Sequence, residues 1–455
     1  MRRLSEEDRQ LIGRVVQARS KPSGTSAADL TTVGGKTPDR SALLEFKNLP
    51  GYAEQQMLRS AAAAMGLRDP YFLVHENDAG ASTLIGNRHM INFSSYDYLG
   101  FNHCPAVRKA AQAAIDRYGV SASASRLVAG ERPIHRALEA ALAAHYQQEG
   151  CLTYVSGHAA NVATIGALLG PRDLVLHDAL AHNSIVMGAL LSRAERRAFA
   201  HNDMAGLEAT LASIRGQFER VLIVAEGLYS MDGDVCDLPT LVSLKERYQA
   251  WLMIDDAHGL GTLGAKGLGI FEHAEVDPGQ VDIWMGTLSK TLAACGGYIA
   301  GPESLIEYLK RTAGGFVYSV GMPPAIATAA LTALELLHAE PDRVGRLRVN
   351  SQLFVELARK AGLDVGSSIG AAIVPVMTGS SVRAVTLSQR LFDRDINVQP
   401  IIHPAIPERL ARLRFFISSE HSAEQIEKVV PVIANEFEAT NATSLTALAR
   451  GAAAS

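Results

Sequence analysis

Asp282-Ile-Trp-Met-Gly-Thr-Leu-Ser-Lys290-Thr291 is the stretch that decides the fold of this chain. A short apolar run, Ile283-Trp-Met285, opens into the polar turn Gly286-Thr-Leu-Ser-Lys290. Upstream, Trp251-Leu-Met-Ile254 has the same form and delivers Asp255-Asp-Ala-His258. Farther upstream, Val221-Leu-Ile-Val-Ala225 leads into Glu226-Gly-Leu-Tyr-Ser230-Met-Asp-Gly-Asp234. Strands that are apolar along their whole length, rather than at alternate positions, belong to parallel sheets covered on both faces. Further runs of this kind lie at 151–155, 174–176 and 297–300, and helical patterns separate most of them. The chain therefore reads as α/β with a mostly parallel sheet. Ligands in such sheets bind beyond the carboxyl ends of the strands, so the three polar loops are expected to converge on one cleft.

A carboxylate at a strand end, followed by a lysine in a Thr-x-Ser-Lys turn, has the chemistry needed to hold pyridoxal phosphate. The lysine amine forms a Schiff base, and the carboxylate keeps the pyridine nitrogen protonated. A lone Ser-Lys carries little information, since most lysines are solvated surface charges. The pair, in this order and each after an apolar run, is much harder to obtain by chance.

Bulk properties narrow the remaining classes. At 455 residues the chain exceeds one ordinary core, which predicts two packed lobes. A net charge of −4 offers no electrostatic attraction to nucleic acid or to an anionic membrane. Cys104, Cys151, Cys236 and Cys295 are scattered without a C-x-x-C pair, which argues against a metal site or a disulfide framework and suits a reducing cytoplasm. Cys295, near the lysine turn, reads as a small buried residue. No apolar stretch is long enough to span a bilayer, and Met1-Arg-Arg-Leu-Ser runs into acidic residues rather than a secretory signal.

The expected organisation is a flexible extension over 1–42, with a short helix at 5–18 and a linker from Ser20 to Asp39. A segment packing on the core follows over 43–100, then the large cofactor-binding domain over 101–340. A smaller C-terminal α+β domain spans 341–440, with strands at 373–377 and 414–417 and helices at 381–393 and 422–438. The tail 441–455 is expected to fray.

Several ordered motifs resemble the α-oxoamine synthase family of fold-type I pyridoxal phosphate transferases. They are Asn92-Phe-Ser-Ser-Tyr-Asp-Tyr-Leu-Gly100, Ser125-Arg-Leu-Val-Ala-Gly130 with His135, Ser156-Gly-His-Ala-Ala-Asn161 and His182-Asn-Ser184. The three strand-end loops and Arg412-Leu-Arg414 complete the set. The resemblance covers about residues 45–440 and implies a seven-stranded sheet with a smaller C-terminal domain. It makes Lys290 the Schiff-base lysine, Asp255 the pyridinium partner and His258 a contact to the phenolic oxygen. His182 would stack on the ring beside the substrate carboxylate. Ser230 and Thr287 would contact the ring oxygen and the phosphate, with Gly157 and His158 at a phosphate-binding helix start. Ser319 would reach the phosphate of a neighbouring subunit in a homodimer with shared active sites; Val320 stands where the family often has another hydroxyl. Arg414 would clamp the amino-acid carboxylate, with Arg412 as the other candidate.

Two departures refine the resemblance. Tyr96 stands where oxononanoate synthases usually carry asparagine and is similar to serine palmitoyltransferase. Val120-Ser-Ala-Ser-Ala-Ser125 replaces a more glycine-rich run, similar to members associated with polyketide or lipid assembly. The resemblance thus implies decarboxylative condensation of a small amino acid with an acyl thioester, giving an α-amino ketone, carbon dioxide and free thiol. Serine is the favoured amino acid, with an alanine- or glycine-using enzyme or a non-catalytic scaffold subunit as alternatives. The acyl donor is coenzyme A or a separate acyl carrier protein.

Overall fold

The computed structural model describes residues 40–442. Residues 73–437 form one compact unit; the described residues before and after them belong to a second. Within that second unit the helix Pro50–Ala64 buries none of its side chains. The expected helix at 5–18 and the linker from Ser20 to Asp39 lie outside the described residues, as does the end of the tail.

A hairpin opens the larger unit, pairing β1 (Ser82–Ile85) with β2 (Arg88–Asn92). Gly86 and Asn87 both have positive φ, 54° and 64°, the geometry of the tight turn that matches the strand twist. The main sheet is built from β3 (Gly150–Tyr154), β4 (Leu174–Asp178), β5 (Glu195–Phe199), β6 (Val221–Glu226), β7 (Trp251–Asp255), β8 (Ile283–Thr287) and β9 (Gly297–Gly301). Its order is β3-β9-β8-β7-β6-β4-β5, and only β9 runs against the others. Along β6, Val221, Ile223 and Ala225 enter one apolar cluster, while Leu222 and Val224 enter another. Both faces are therefore covered, which is why these strands read as unbroken apolar runs. Within this sheet the strand that escaped the sequence pattern is β5, Glu-Arg-Arg-Ala-Phe; β1, β2, β11 (Ile396–Asn397) and β12 (Gln399–Ile401), outside it, were not anticipated either. Strand β5 lies at the sheet edge and exposes all but Phe199, where charge discourages further pairing.

The C-terminal portion carries a three-stranded antiparallel sheet of β10 (Ile373–Met377), β12 (Gln399–Ile401) and β13 (Arg412–Phe416), in the order β10-β13-β12. The two-residue β11 (Ile396–Asn397) instead pairs in parallel with β2, joining segments about three hundred residues apart. Among the described residues, no helix is long and apolar enough to cross a membrane.

Candidate active site

The carboxyl ends of β3, β4, β6, β7 and β8 share one edge of the sheet, and every loop singled out in the sequence leaves from that edge. Register fixes the alignment, with Glu226 opposite Asp255 and Asp255 opposite Met285. Asp255 is buried at the last position of β7. Its carboxylate accepts Asn161 Nδ2 at 2.9 Å and the Ala257 amide at 3.1 Å. Among the described residues it has no ion-pair partner.

Lys290 follows β8, its Nζ 5.8 Å from the centre of the Tyr96 ring and without a hydrogen-bond partner among the described residues. Burial lowers its pKa to about 8, against the opposing pull of Asp255 and Glu226. Glu226 moves the other way, up to about 8, because it is buried and stands beside Asp255. Its Oε1 accepts the His182 amide at 2.6 Å. His182 sits at the cleft mouth, capping the helix Asn183–Ser192, with Nδ1 2.6 Å from Ser184 Oγ. Partial burial lowers its pKa, and the charges of Asp255, Lys290 and His158 all reach it.

His258 is buried, its Nδ1 2.8 Å from Tyr98 Oη and its ring parallel to Phe416 at 6.5 Å. Burial, then Lys290 and Arg414, keep it neutral. Arg414 comes from β13 and donates from Nη1 to the Ser230 carbonyl at 2.9 Å, stacking over Phe416 at 4.6 Å. Its Nε is buried and unpartnered. Arg412 is neither solvated nor free. It is buried and held by Asp232, the Met231 carbonyl and the Leu410 carbonyl, so the open guanidinium edge belongs to Arg414.

Gly157 and His158 begin the helix Gly157–Leu168, which Ser156 caps by accepting the Ala159 amide at 3.0 Å. The first two amides of a helix have no intrahelical acceptor and favour an anion. Gly157 allows a close approach: a Cβ there would meet Met285 Cε and Thr287 Oγ1 at 3.2 Å. Thr287 bonds Ser289 Oγ at 2.7 Å and the Gly296 carbonyl at 2.9 Å.

The structure thus brings together Lys290, Asp255, His182, His258, Arg414, Tyr96 and Ser230, with Thr287 and Gly157 adjoining. Among the described residues, no hydrogen bond joins Ser319 to them. Ser319 lines a small cavity with Arg126, Thr153 and Tyr154, between exposed Tyr318 and Val320. Cys295 is exposed rather than buried, its Sγ 3.7 Å from the Val155 carbonyl, because the turn after Lys290 carries it outward. Sequence reasoning gave no role to Asn161, Glu226 or Tyr98. Each lay inside a quoted motif, but its importance depends on the side chain it touches.

These residues fit pyridoxal phosphate on their own chemistry. A buried carboxylate without a cation suits a pyridinium nitrogen, an amine whose pKa burial lowers to about 8 suits a carbonyl carbon, and two free amides suit a phosphate.

Residues 88–433 match the family model for class I and II aminotransferases. The 8-amino-7-oxononanoate synthase of Methylococcus capsulatus is 40% identical over 378 residues, covering 83% of this chain and 97% of its own. The solved serine palmitoyltransferase of Sphingomonas wittichii superposes with a TM-score of 0.83 at 30% identity, covering 87% of this chain and all of its own. A serine palmitoyltransferase structure that holds pyridoxal phosphate superposes at 0.81 with 28% identity, covering 86% of this chain and 97% of its own.

Proposed function

This chain belongs to the α-oxoamine synthases within the class I and II aminotransferase family and uses pyridoxal phosphate, and on that premise we propose that it condenses alanine with an acyl thioester. The products are an α-amino ketone, carbon dioxide and a free thiol. The observation that carries the chemistry is one cleft holding an unpartnered lysine amine, a buried carboxylate without a counter-ion and an arginine with an open edge. The serine preference suggested by Tyr96 has less support. The 40% identical relative is named for a product whose terminal methyl–CH(NH2)–CO unit is what decarboxylative condensation of alanine leaves. Serine use is supported by the structural neighbours, at lower identity.

When bound, pyridoxal phosphate supplies an electron-withdrawing ring that stabilises negative charge at the amino acid's α-carbon. Asp255 keeps the ring nitrogen protonated, and Asn161 holds Asp255 in place. Arg414 grips the substrate carboxylate through Nη2, which has no hydrogen-bond partner among the described residues and is not a sealed atom, while the Ser230 carbonyl fixes Nη1. Lys290, shifted toward neutrality, takes the α-proton and later returns one. Glu226 anchors the His182 backbone, so that the imidazole stands over the cleft. Ser319 lies between exposed Tyr318 and Val320, and shares a small cavity with Arg126, which precedes exposed Leu127 and Val128; this apolar exposure supports a second subunit that completes the phosphate site. The acyl group arrives on coenzyme A or on a separate acyl carrier protein.

The test is turnover of the purified protein with alanine, glycine and serine against a panel of acyl thioesters, reading carbon dioxide and thiol together. Alanine should give both in equal amounts and at the highest kcat/KM. A keto acid without thiol would mean transamination instead, and faster turnover of serine would restore the palmitoyltransferase-like reading.

A further inference from the structure

Tyr98 occupies a position that no role in the condensation requires, yet it is wholly buried and its hydroxyl has a single partner among the described residues, His258 Nδ1 at 2.8 Å. Its backbone is held on both sides: its amide donates to the Tyr96 carbonyl at 2.9 Å, and its carbonyl accepts the Ser419 amide at 2.8 Å. The His258 ring is fixed in plane by Phe416, parallel at 6.5 Å, and at its edge by Tyr96, 6.0 Å between centroids. Its Nε2 has no hydrogen-bond partner among the described residues and is not among the sealed polar atoms.

We propose that Tyr98 is a positioning residue that sets the tautomer of His258, so that Nδ1 accepts from the phenol and Nε2 carries the ring hydrogen. A buried phenol with one neighbour must donate to it or leave its hydrogen unsatisfied. Burial pushes the Tyr98 ionisation well above its usual range, so the hydrogen is always present. Burial, Lys290, Arg414 and His182 hold the imidazole neutral, so it has one hydrogen to place. With Nδ1 accepting, that hydrogen sits on Nε2 and is offered as a donor to the cleft. Were Nδ1 the donor instead, the phenol hydrogen would have no acceptor, and Nε2 would offer a lone pair where an anionic cofactor oxygen needs a donor. Only this last step rests on the reading of the cleft as the cofactor site.

The experiment uses the full-length protein labelled with 15N-histidine, with and without pyridoxal phosphate, as wild type, Tyr98→Phe, His258→Asn and the double variant. The His258→Asn spectrum identifies the His258 resonances. Wild type should show Nε2 protonated and Nδ1 bare in both states, and Tyr98→Phe should show a mixture of tautomers. Its cofactor dissociation constant should rise by about five- to tenfold, the scale of one hydrogen bond. In the His258→Asn background the same change should have no further effect. A wild-type protein with Nδ1 protonated overturns the proposal, even if Tyr98→Phe fails to fold. A Tyr98→Phe protein with unchanged tautomer and affinity overturns it as well. Failure of wild type to bind pyridoxal phosphate would sink the cofactor reading, yet the tautomer measurement on the cofactor-free protein would still decide the role of Tyr98.

Discussion

Arg126 and Lys290 are both cations in the interior of one unit, and they are treated in opposite ways. Arg126 spends its guanidinium on Glu131 at 2.7 and 3.0 Å, on both oxygens of Glu139, and on Thr153 Oγ1 at 3.1 Å. Glu139 in turn accepts the Thr153 amide at 2.8 Å. Every charge in that cluster is answered inside the chain. In the cleft the lysine amine is bare, Asp255 lacks an ion pair, and Arg414 keeps a buried Nε without a partner. A satisfied charge cluster holds the fold together; an unsatisfied one is waiting for ligands.

The widest separation between the two regions should come from their cations. Lys290→Ala is expected to abolish visible cofactor absorbance and lower turnover by about ten-thousandfold, with little loss of melting temperature, since it removes a buried amine that nothing holds. Arg126→Ala should do the reverse. It strands the buried Glu139 carboxylate, and urea unfolding should report a loss of about 3–5 kcal/mol. A Lys290→Ala protein that melts as early as Arg126→Ala would erase the distinction.

Asp255→Asn sharpens it within one residue. The cofactor-free variant should be more stable than wild type by about 1 kcal/mol, because a buried charge becomes neutral. Asn161 can accommodate the change by turning its amide, since its Oδ1 is now unpartnered. Turnover should fall by at least about a hundredfold, as nothing then holds a proton on the ring nitrogen. Loss of both stability and activity would mean that Asp255 is structural.

What the sequence made legible follows the same division. Strands buried on both faces announced themselves as apolar runs, and the loops after β6, β7 and β8 carried their chemistry in adjacent residues. The edge strand β5 was hidden because its exposed charges break the apolar pattern. The turn Gly86-Asn87 was a readable hairpin signal that the apolar runs overshadowed. The pairing of β11 with β2 and the contact of Asn161 with Asp255 had no local signal, because each joins residues remote in the chain. Arg412 and Arg414 were equivalent in sequence; the neighbour Asp232 is what commits one and leaves the other open.

The smallest expected effect is a pH dependence that comes from the buried ionisable groups of the cleft itself. Burial and Asp255 raise the Glu226 carboxyl from 4.5 to about 8. The folded protein therefore keeps a proton that the unfolded chain has released. This contribution is complete below about pH 4.5 and is lost as pH climbs toward 8. Lys290 is shifted downward, from 10.5 to about 8, so the folded protein gives up a proton that the unfolded chain retains, and stability recovers between pH 8 and 10.5. His201, bridging Asp178 and Asp234 with its pKa raised to about 10, adds a decline that begins near 6.5 and overlaps both limbs. The readout is therefore a difference between proteins. Glu226→Gln should flatten the cofactor-free profile between pH 4.5 and 8, and Lys290→Ala should remove the recovery above 8. Glu131 of the Arg126 cluster should add nothing to either limb, since pairing with Arg126 and Arg136, opposed by burial, lowers its pKa and confines its titration to acid. Parallel wild-type and Glu226→Gln profiles between pH 4.5 and 8 would mean that Glu226 is already ionised in the fold, and the cleft would then hold two anions against one lysine.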